Sequence, residues 1–254
     1  MTDGVIASGI NVSIGGREII HNADIEIAMG EITILIGPNG AGKSTLMKAL
    51  LGLIECGGGS VTFDAQPKQN ITPTQLAVQI GYLGQNTKPE WNMNVEDLVS
   101  LGRLPHQELG ISSKSQDQAA INEALGALEI QHLRKRKIEA ISGGELALVL
   151  LARVLAGKPK YIFADEPLNH LDVAHQIQLI KALQVFCKNG GAVFAIVHDL
   201  TMAARLGNKF ALMANGKIVA NGDRQVLNTQ NLSEIFGVEI ATAKFNGQTI
   251  FVPK

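Results

Sequence analysis

Apolar positions along this chain fall into blocks with two different periods. Residues 5–35 read as short strands joined by turns, among them Gly15-Gly16 and Met29-Gly30. Glu31-Ile32-Thr33-Ile34-Leu35-Ile36 reads as a buried strand, and residues 44–51 change to helical spacing. Residues 60–63 and 80–84 read as further strands, the second ending at Gln85. From 86 to 140 the character shifts: 94–103 and 115–128 carry helical periodicity between polar loops. This predicts a helical subdomain, over about 86–157, inserted into an α/β core. The core resumes with a helix over 143–156, a strand over 161–164, a helix over 173–187 and a strand over 192–197. Buried strands alternating with helices imply a mostly parallel sheet covered on both faces. The expected organisation is one domain over 1–254, with an antiparallel β region at its N-terminal end.

One junction in this pattern carries chemistry. Gly37-Pro38-Asn39-Gly40-Ala41-Gly42-Lys43-Ser44-Thr45 fits G-x-x-x-x-G-K-[ST], the phosphate-binding loop of nucleotide triphosphatases. A buried strand precedes it and a helix follows, as the mechanism needs. Backbone N–H groups at a helix N-terminus point at an anion, and the helix dipole favours negative charge. Glycines let the backbone wrap oxyanions without Cβ clashes. Lys43 would reach the β- and γ-phosphates, and the Ser44 hydroxyl would hold Mg²⁺.

Composition narrows the classes. With 254 residues, 46% of them apolar, the chain can bury a substantial core. A net charge of −1 argues against a nucleic-acid surface. The basic run Arg134-Lys135-Arg136-Lys137 lies beside Glu129 and Glu139 and reads as a solvated helix end. Cys56 and Cys187 have no metal-ligand spacing, which suggests two packing thiols in a reducing compartment. Met1-Thr2-Asp3-Gly4 shows no signal-peptide pattern, and no run of 18 apolar residues would span a membrane.

Further polar residues gather at strand ends. Asp165-Glu166 ends the strand over 161–164, where ligand sites of α/β sheets form. Asp165 would organise Mg²⁺ and Glu166 would polarise an attacking water. Gln85 and His198 also follow apolar strands, and such ends share one edge of a parallel sheet. Ser142-Gly143-Gly144-Glu145 opens the helix over 143–156. Ser142 and Glu145 form a capping box, but two glycines weaken a helix start and expose backbone there as a second anion cradle. Two chains placed head-to-tail could each lend this cradle to the other's nucleotide.

The ordered set resembles the ATP-binding subunits of ABC transporters along essentially the whole chain. Residues 37–45 match the Walker A motif, Gln85 the Q-loop, and residues 141–145 the signature motif. Residues 161–166 resemble Walker B, Asn169-His170-Leu171-Asp172 the D-loop, and His198 the switch histidine. A narrower likeness, to ATPases serving iron-siderophore, haem and cobalamin importers, rests on residues 94–106, 197–200 and 234–238. The resemblance implies a P-loop triphosphatase core, ATP and Mg²⁺ (Gln85 joining Ser44 and Asp165 around the metal), and a homodimer with ATP between its copies. It also implies an integral membrane permease, indirectly an external substrate-binding protein, and a place on the cytoplasmic face of the membrane. A non-transport ATPase of this type, such as one of iron–sulfur assembly, is the alternative.

Three positions depart from the family pattern. Ile14 stands where an adenine-stacking aromatic residue is usual. The run Leu146-Ala147-Leu148-Val149-Leu150-Leu151 replaces polar and basic residues, making that helix apolar around its circumference; the favoured reading is tight packing within the helical lobe. Leu168 replaces the usual threonine after Pro167.

Overall fold

A computed structural model describes residues 3–85, 92–245 and 248–254. They form two units, one from residues 3–70 with 192–254, the other from residues 71–191. Met1, Thr2 and the expected start of the helical insertion at residue 86 lie outside the described residues.

The first unit opens on strands longer than expected. β1 (Gly4–Ile14) has 11 residues and β2 (Arg17–Ala28) has 12, and they pair antiparallel across the Gly15-Gly16 turn. Val5, Ala7, Ile10 and Val12 of β1 are buried, as are Ile20, Ala23, Ile25 and Ile27 of β2. This is mostly the period-two burial of a sheet with one inward face. β3 (Ile32–Ile36) is buried at every position, and α1 (Lys43–Leu50) follows it. β4 (Gly58–Phe63) pairs antiparallel with β1, and the short β5 (Gln66–Pro67) with β4, which completes the antiparallel region.

The second unit begins with α2 (Pro73–Gln79) and β6 (Ile80–Leu83). Helices α3 (Val95–Ser100), α4 (Leu104–Glu108), α5 (Lys114–Ala127) and α6 (Gly143–Ala156) follow. β7 (Tyr161–Asp165), parallel to β6, and α7 (Val173–Lys188) complete it. The chain then returns to the first unit with β8 (Ala192–Ile196), α8 (Leu200–Leu206), β9 (Lys209–Ala214) and β10 (Lys217–Gly222). α9 (Thr229–Phe236) and the hairpin of β11 (Ile240–Phe245) with β12 (Gln248–Pro253) end it.

Among β3, β8, β9 and β10 of the first unit, β3 runs parallel to both β8 and β9, and only β10 is antiparallel to its neighbour. The expected α/β fold, with mostly parallel strands and an antiparallel N-terminal sheet, is therefore what forms. β8 is also buried at all five positions, so the apolar runs Ile32–Ile36 and Ala192–Ile196 become the interior strands of this sheet.

α6 is the hub of the second unit. It packs on α3, α5, α7 and β6. Leu148, Val149, Leu150, Leu151 and Ala152 are all buried, so consecutive residues on every side of the helix meet protein. The apolar run that departs from the family pattern is thus accounted for by packing within the unit. Leu168 is buried as well, and its carbonyl accepts from Gln176 Nε2 at 3.2 Å. The basic run is partly as expected: Lys135, Arg136 and Lys137 are exposed, beyond a single 3-10 turn, Gln131–Leu133, rather than a full helix.

A buried ion pair ties this unit together. Arg103 Nε donates to Asp117 Oδ1 at 2.8 Å, and Arg103 Nη1 to the Ala156 carbonyl at 3.0 Å. Gln107 Nε2 donates to the other carboxylate oxygen at 2.8 Å. Burial opposes ionisation of Asp117, but the hydrogen bonds from Arg103 and Gln107 outweigh it and hold the carboxyl below the usual carboxylate range. Removing one partner of a buried pair strands the other charge, at a cost of about 3–5 kcal/mol. Asp117→Ala should lower unfolding free energy by that order in urea melts at neutral pH. Because the folded-state pKa is depressed, the pair stabilises fully above the ordinary carboxylate pKa. Its contribution is lost as pH falls through the lowered value, so the wild-type advantage should shrink there.

Candidate functional site

In the first unit, β3 delivers Gly37 directly to the loop that starts α1. A Cβ at Gly37 would lie 2.1 Å from the Met213 carbonyl oxygen at the end of β9, so only glycine lets the two backbones meet. Asn39 and Gly40 form the exposed tip. The loop base is pinned by a backbone relay: Gly216 N–H donates to the Ala41 carbonyl at 3.0 Å, and His21 N–H to the Gly216 carbonyl at 2.9 Å. Gly42, at φ 101, is the N-cap of α1, a backbone that side-chain-bearing residues seldom adopt.

The start of α1 differs from the other long helices. Ser113, Ser142 and Asp172 cap α5, α6 and α7 with their side chains. α1 has no side-chain cap hydrogen bond and no acidic residue in its first turn. That arrangement suits an anion at the first turn. The Lys43 ammonium is folded into the loop, donating to the Gly37 and Pro38 carbonyls at 2.8 and 2.9 Å. Ser44 and Thr45 are half-buried behind it. His198 follows β8, and since β8 is the parallel neighbour of β3, the two strands open on the same sheet edge. Asp199, next in sequence, accepts from Met202 N–H at 2.8 Å and caps α8.

In the second unit, β6 and β7 are parallel neighbours, which brings the residues after them together. Gln85 Nε2 donates to Glu166 Oε2 at 2.5 Å, and Asn169 Nδ2 donates to the same oxygen at 2.5 Å. Glu166 sits at φ 55, a left-handed backbone that costs a non-glycine residue free energy. Asp165, one residue earlier, is buried, as is Pro167, one residue later. Burial, and then the charge of Asp165, raise the nearby Tyr82 phenol above its ordinary range.

The capping box at the start of α6 forms as expected. Ser142 N–H donates to Glu145 Oε2 at 2.7 Å, and Glu145 N–H to Ser142 Oγ at 3.2 Å. The Ser142 N–H, helped by its hydroxyl, holds the Glu145 carboxyl below the usual range. A Cβ at Gly143 would meet open space, whereas one at Gly144 would meet the ring of His175. Asp172 caps α7, and hydrogen bonds from the His175 backbone N–H and then its ring lower its carboxyl pKa. Gln85, Gly143, Leu146, Glu166 and Asn169 are among the residues lining one cavity of about 180 Å³.

Each unit therefore holds a coherent part of the set read from sequence. The first carries the loop of residues 37–45 with His198, the second Gln85, Asp165, Glu166, Ser142, Gly143, Gly144 and Asp172. Two contacts were not read from sequence. Asn169 is a second amide on Glu166, and His175 is a partner of Asp172 and Gly144. The first had a signal in its spacing, three residues after Glu166 across a turn. The second had one in the i, i+3 relation of Asp172 and His175 at a helix start.

An α/β protein with a strand–loop–helix phosphate cradle of this form is a P-loop nucleotide triphosphatase by class. Residues 20–169, more than half of the chain, match the ABC transporter family, and the chain belongs to that family. As a member it binds ATP and is an ATPase. It is similar to the hemin import ATP-binding protein HmuV of Myxococcus xanthus, 36% identical over 247 residues covering 94% of this chain and 92% of the relative. The ferric enterobactin transport ATP-binding protein FepC of Escherichia coli is 33% identical over 231 residues, 90% of this chain and 85% of that one. Among solved structures, a chain from a transporter described as of the metal-chelate type, in an inward-facing conformation, superposes with a TM-score of 0.85. It is 26% identical, with 99% of this chain and 97% of that chain covered.

The approach of Gly37 to Met213 gives a direct test of the cradle. Overpacking at this contact should cost about 1–3 kcal/mol of stability, and by shifting the loop that presents the donors Gly37→Ala should also weaken ATP binding. Equilibrium titration of the folded variant, below its melting temperature, checks this. Unchanged affinity would mean that the loop does not need this approach to bind phosphate.

Proposed function

We propose that this chain is the ATP-hydrolysing subunit that powers import of a metal chelate through a separate membrane permease. The observation that carries the reading is likeness over nearly the whole chain to proteins named for hemin import and ferric enterobactin transport. The cargo class is thus haem or a ferric siderophore, with cobalamin the third member implied by the motif resemblance. The subunit would lie on the cytoplasmic face of the membrane, where the permease meets it, and an external binding protein would select the cargo. Among the described residues no helix is long and apolar enough to cross a membrane; the permease would provide the path for the cargo. Residues 1–254 would act as one nucleotide-binding domain whose helical part, about 86–157, contacts that permease.

The residues divide the work. The backbone N–H groups of Asn39, Gly40, Ala41, Gly42 and Thr45 would cradle phosphate oxygens, with Gly37 and Pro38 (which has no N–H to give) shaping the entry of the loop. Lys43 would exchange its two loop carbonyls for the β- and γ-phosphates. Glu166 would take the proton of the attacking water, its carboxylate aimed by the amides of Gln85 and Asn169. His198 would hold the γ-phosphate oriented. The Ser44 hydroxyl, the Asp165 carboxylate and Gln85 are hard oxygen donors of the kind Mg²⁺ takes beside phosphate. Held by these donors, Mg²⁺ would supply charge neutralisation on the phosphate oxygens. Ser142, Gly143, Gly144 and Asp172 would act on the nucleotide of a second copy of the chain in a homodimer. Ile14, 49% exposed, offers adenine an aliphatic surface in place of a ring.

Reconstitution with the permease and a binding protein tests the whole reading: ATP should drive uptake of haem or a ferric siderophore. Glu166→Gln should bind ATP, lose hydrolysis by about 10²- to 10⁴-fold, the usual range for a general base, and lose uptake with it. Near-normal turnover in that variant would remove Glu166 from the base role, and turnover without uptake of any chelate would favour a non-transport ATPase.

The shared-site homodimer makes its own prediction. Lys43→Ala disables a chain's own cradle and Gly143→Trp disables the cradle it lends. Mixed dimers of the two should regain one intact composite site, since each site draws one element from each copy. Mixtures no more active than either parent alone would rule out sharing.

A further inference from the structure

The two glycines that open α6 have different surroundings. A Cβ on Gly143 would meet nothing within 4 Å, whereas a Cβ on Gly144 would stand 2.4 Å from Nδ1, 2.6 Å from Cγ and 2.7 Å from Cε1 of His175. The imidazole therefore occupies the space that a side chain at position 144 would need. The same Nδ1 lies 2.8 Å from Asp172 Oδ2. A carboxylate only accepts, so Nδ1 carries the proton and donates. The His175 backbone N–H donates to the other carboxylate oxygen at 3.0 Å. One residue thus grips both oxygens of Asp172 and fills the gap against Gly144. Its side chain is only 22% exposed, against 64% for Asp172.

We propose that His175 is a positioning residue: its ring, seated on Gly144 and bonded to Asp172, holds the start of α6 and the turn before α7 in one fixed register. The inference rests on the proposed function, in which Gly144 and Asp172 together meet the nucleotide of a second copy. Two elements that must meet one ligand gain from being held as a single block, because less ordering is left to binding. Gly144 is then glycine for two reasons, bare backbone toward an anion and room for the ring. Any side chain at 144 displaces the imidazole and breaks its bond to Asp172 Oδ2, leaving Asp172 only the backbone N–H of His175.

A double-mutant cycle separates this from a purely local role. The variants are Gly144→Ala, His175→Ala, the pair, and His175→Gln, with thermal melts to establish that each folds. Readouts are kcat and KM for ATP in the assembled transporter, and ATP affinity of the isolated chain. Gly144→Ala should lose kcat on the order of tenfold, within the coupling range of contacting residues, with ATP affinity of the isolated chain held. Removing the ring should remove the clash, so the pair should be more active than Gly144→Ala alone, without exceeding His175→Ala. His175→Gln, which keeps a donor for Asp172, should exceed His175→Ala. Losses that multiply in the pair, or equal activity of the Gln and Ala variants, would overturn the proposal. The contact is also read without turnover. The Nδ1–H resonance of His175 in ¹⁵N-edited spectra should be present in wild type and lost in Gly144→Ala. Its persistence there would overturn the proposal whatever the ATPase assay shows. A wild type without ATP turnover would instead defeat the proposed function, with the spectra still deciding the contact.

Discussion

Everything in the phosphate cradle depends on a backbone-to-backbone contact between Gly37 and the Met213 carbonyl, at the ends of two neighbouring parallel strands. Binding by amide groups needs donors that are already aimed, since a flexible loop would have to be ordered at the expense of affinity. Here the aim comes from the sheet. β3 and β9 fix the strand ends, the missing side chain at Gly37 lets them close, and Gly216 bonds the loop base at Ala41. Lys43 completes the enclosure by bonding the two carbonyls at the loop's entry. In the proposed function Lys43 would exchange those carbonyls for phosphate oxygens.

The second unit uses another device. Glu166 is aimed by two neutral amides on one carboxylate oxygen and by a left-handed backbone between buried Asp165 and buried Pro167. Amide donors restrain a carboxylate without contributing a formal charge, which leaves it able to accept a proton. The unfavourable backbone is held by the strand before it and the packed turn after it. Local strain at Glu166 fits its proposed role as general base, since strained backbone is retained where geometry matters more than local stability.

Much of this was legible in the sequence because each signal had a mechanism attached. The runs at 31–36 and 192–197 read as buried strands, and the phosphate pattern lay between a strand and a helix. The helix over 143–156 was bounded by Ser142 and its capping box, and it forms over those residues. What was missed lay where the pattern is short or local. α2 has seven residues and no buried side chain, so apolar period could not find it, although Thr72 and Gln75 form a capping box at its start. The β9–β10 hairpin turns on Asn215-Gly216, both at positive φ, a strong hairpin signal that the reading of apolar blocks passed over. β1 and β2 were read as short because their polar outward positions interrupt the apolar count, although alternation is what a half-exposed strand requires. Side-chain pairings such as Asn169 with Glu166 depend on the path of a turn, which no periodicity encodes.

The apolar run after Glu145 connects these strands of argument. Helix α6 begins at exposed Gly143 and half-buried Gly144 and passes within five residues into full burial at Leu148. Leu146 and Ala147 mark the transition. They are half-buried and line the same cavity as Gln85 and Glu166. Polar or basic side chains at those two positions would offer competing partners to the Glu166 carboxylate. Aliphatic ones leave the amides of Gln85 and Asn169 to aim it. The departure from the family's usual residues is thus tied to the site as well as to packing. It trades charged groups near the cavity for a helix whose deeper turns are anchored against α3, α5 and α7. That anchoring gives the glycine pair a rigid base, so Gly143 and Gly144 can leave backbone bare at the helix start without fraying it.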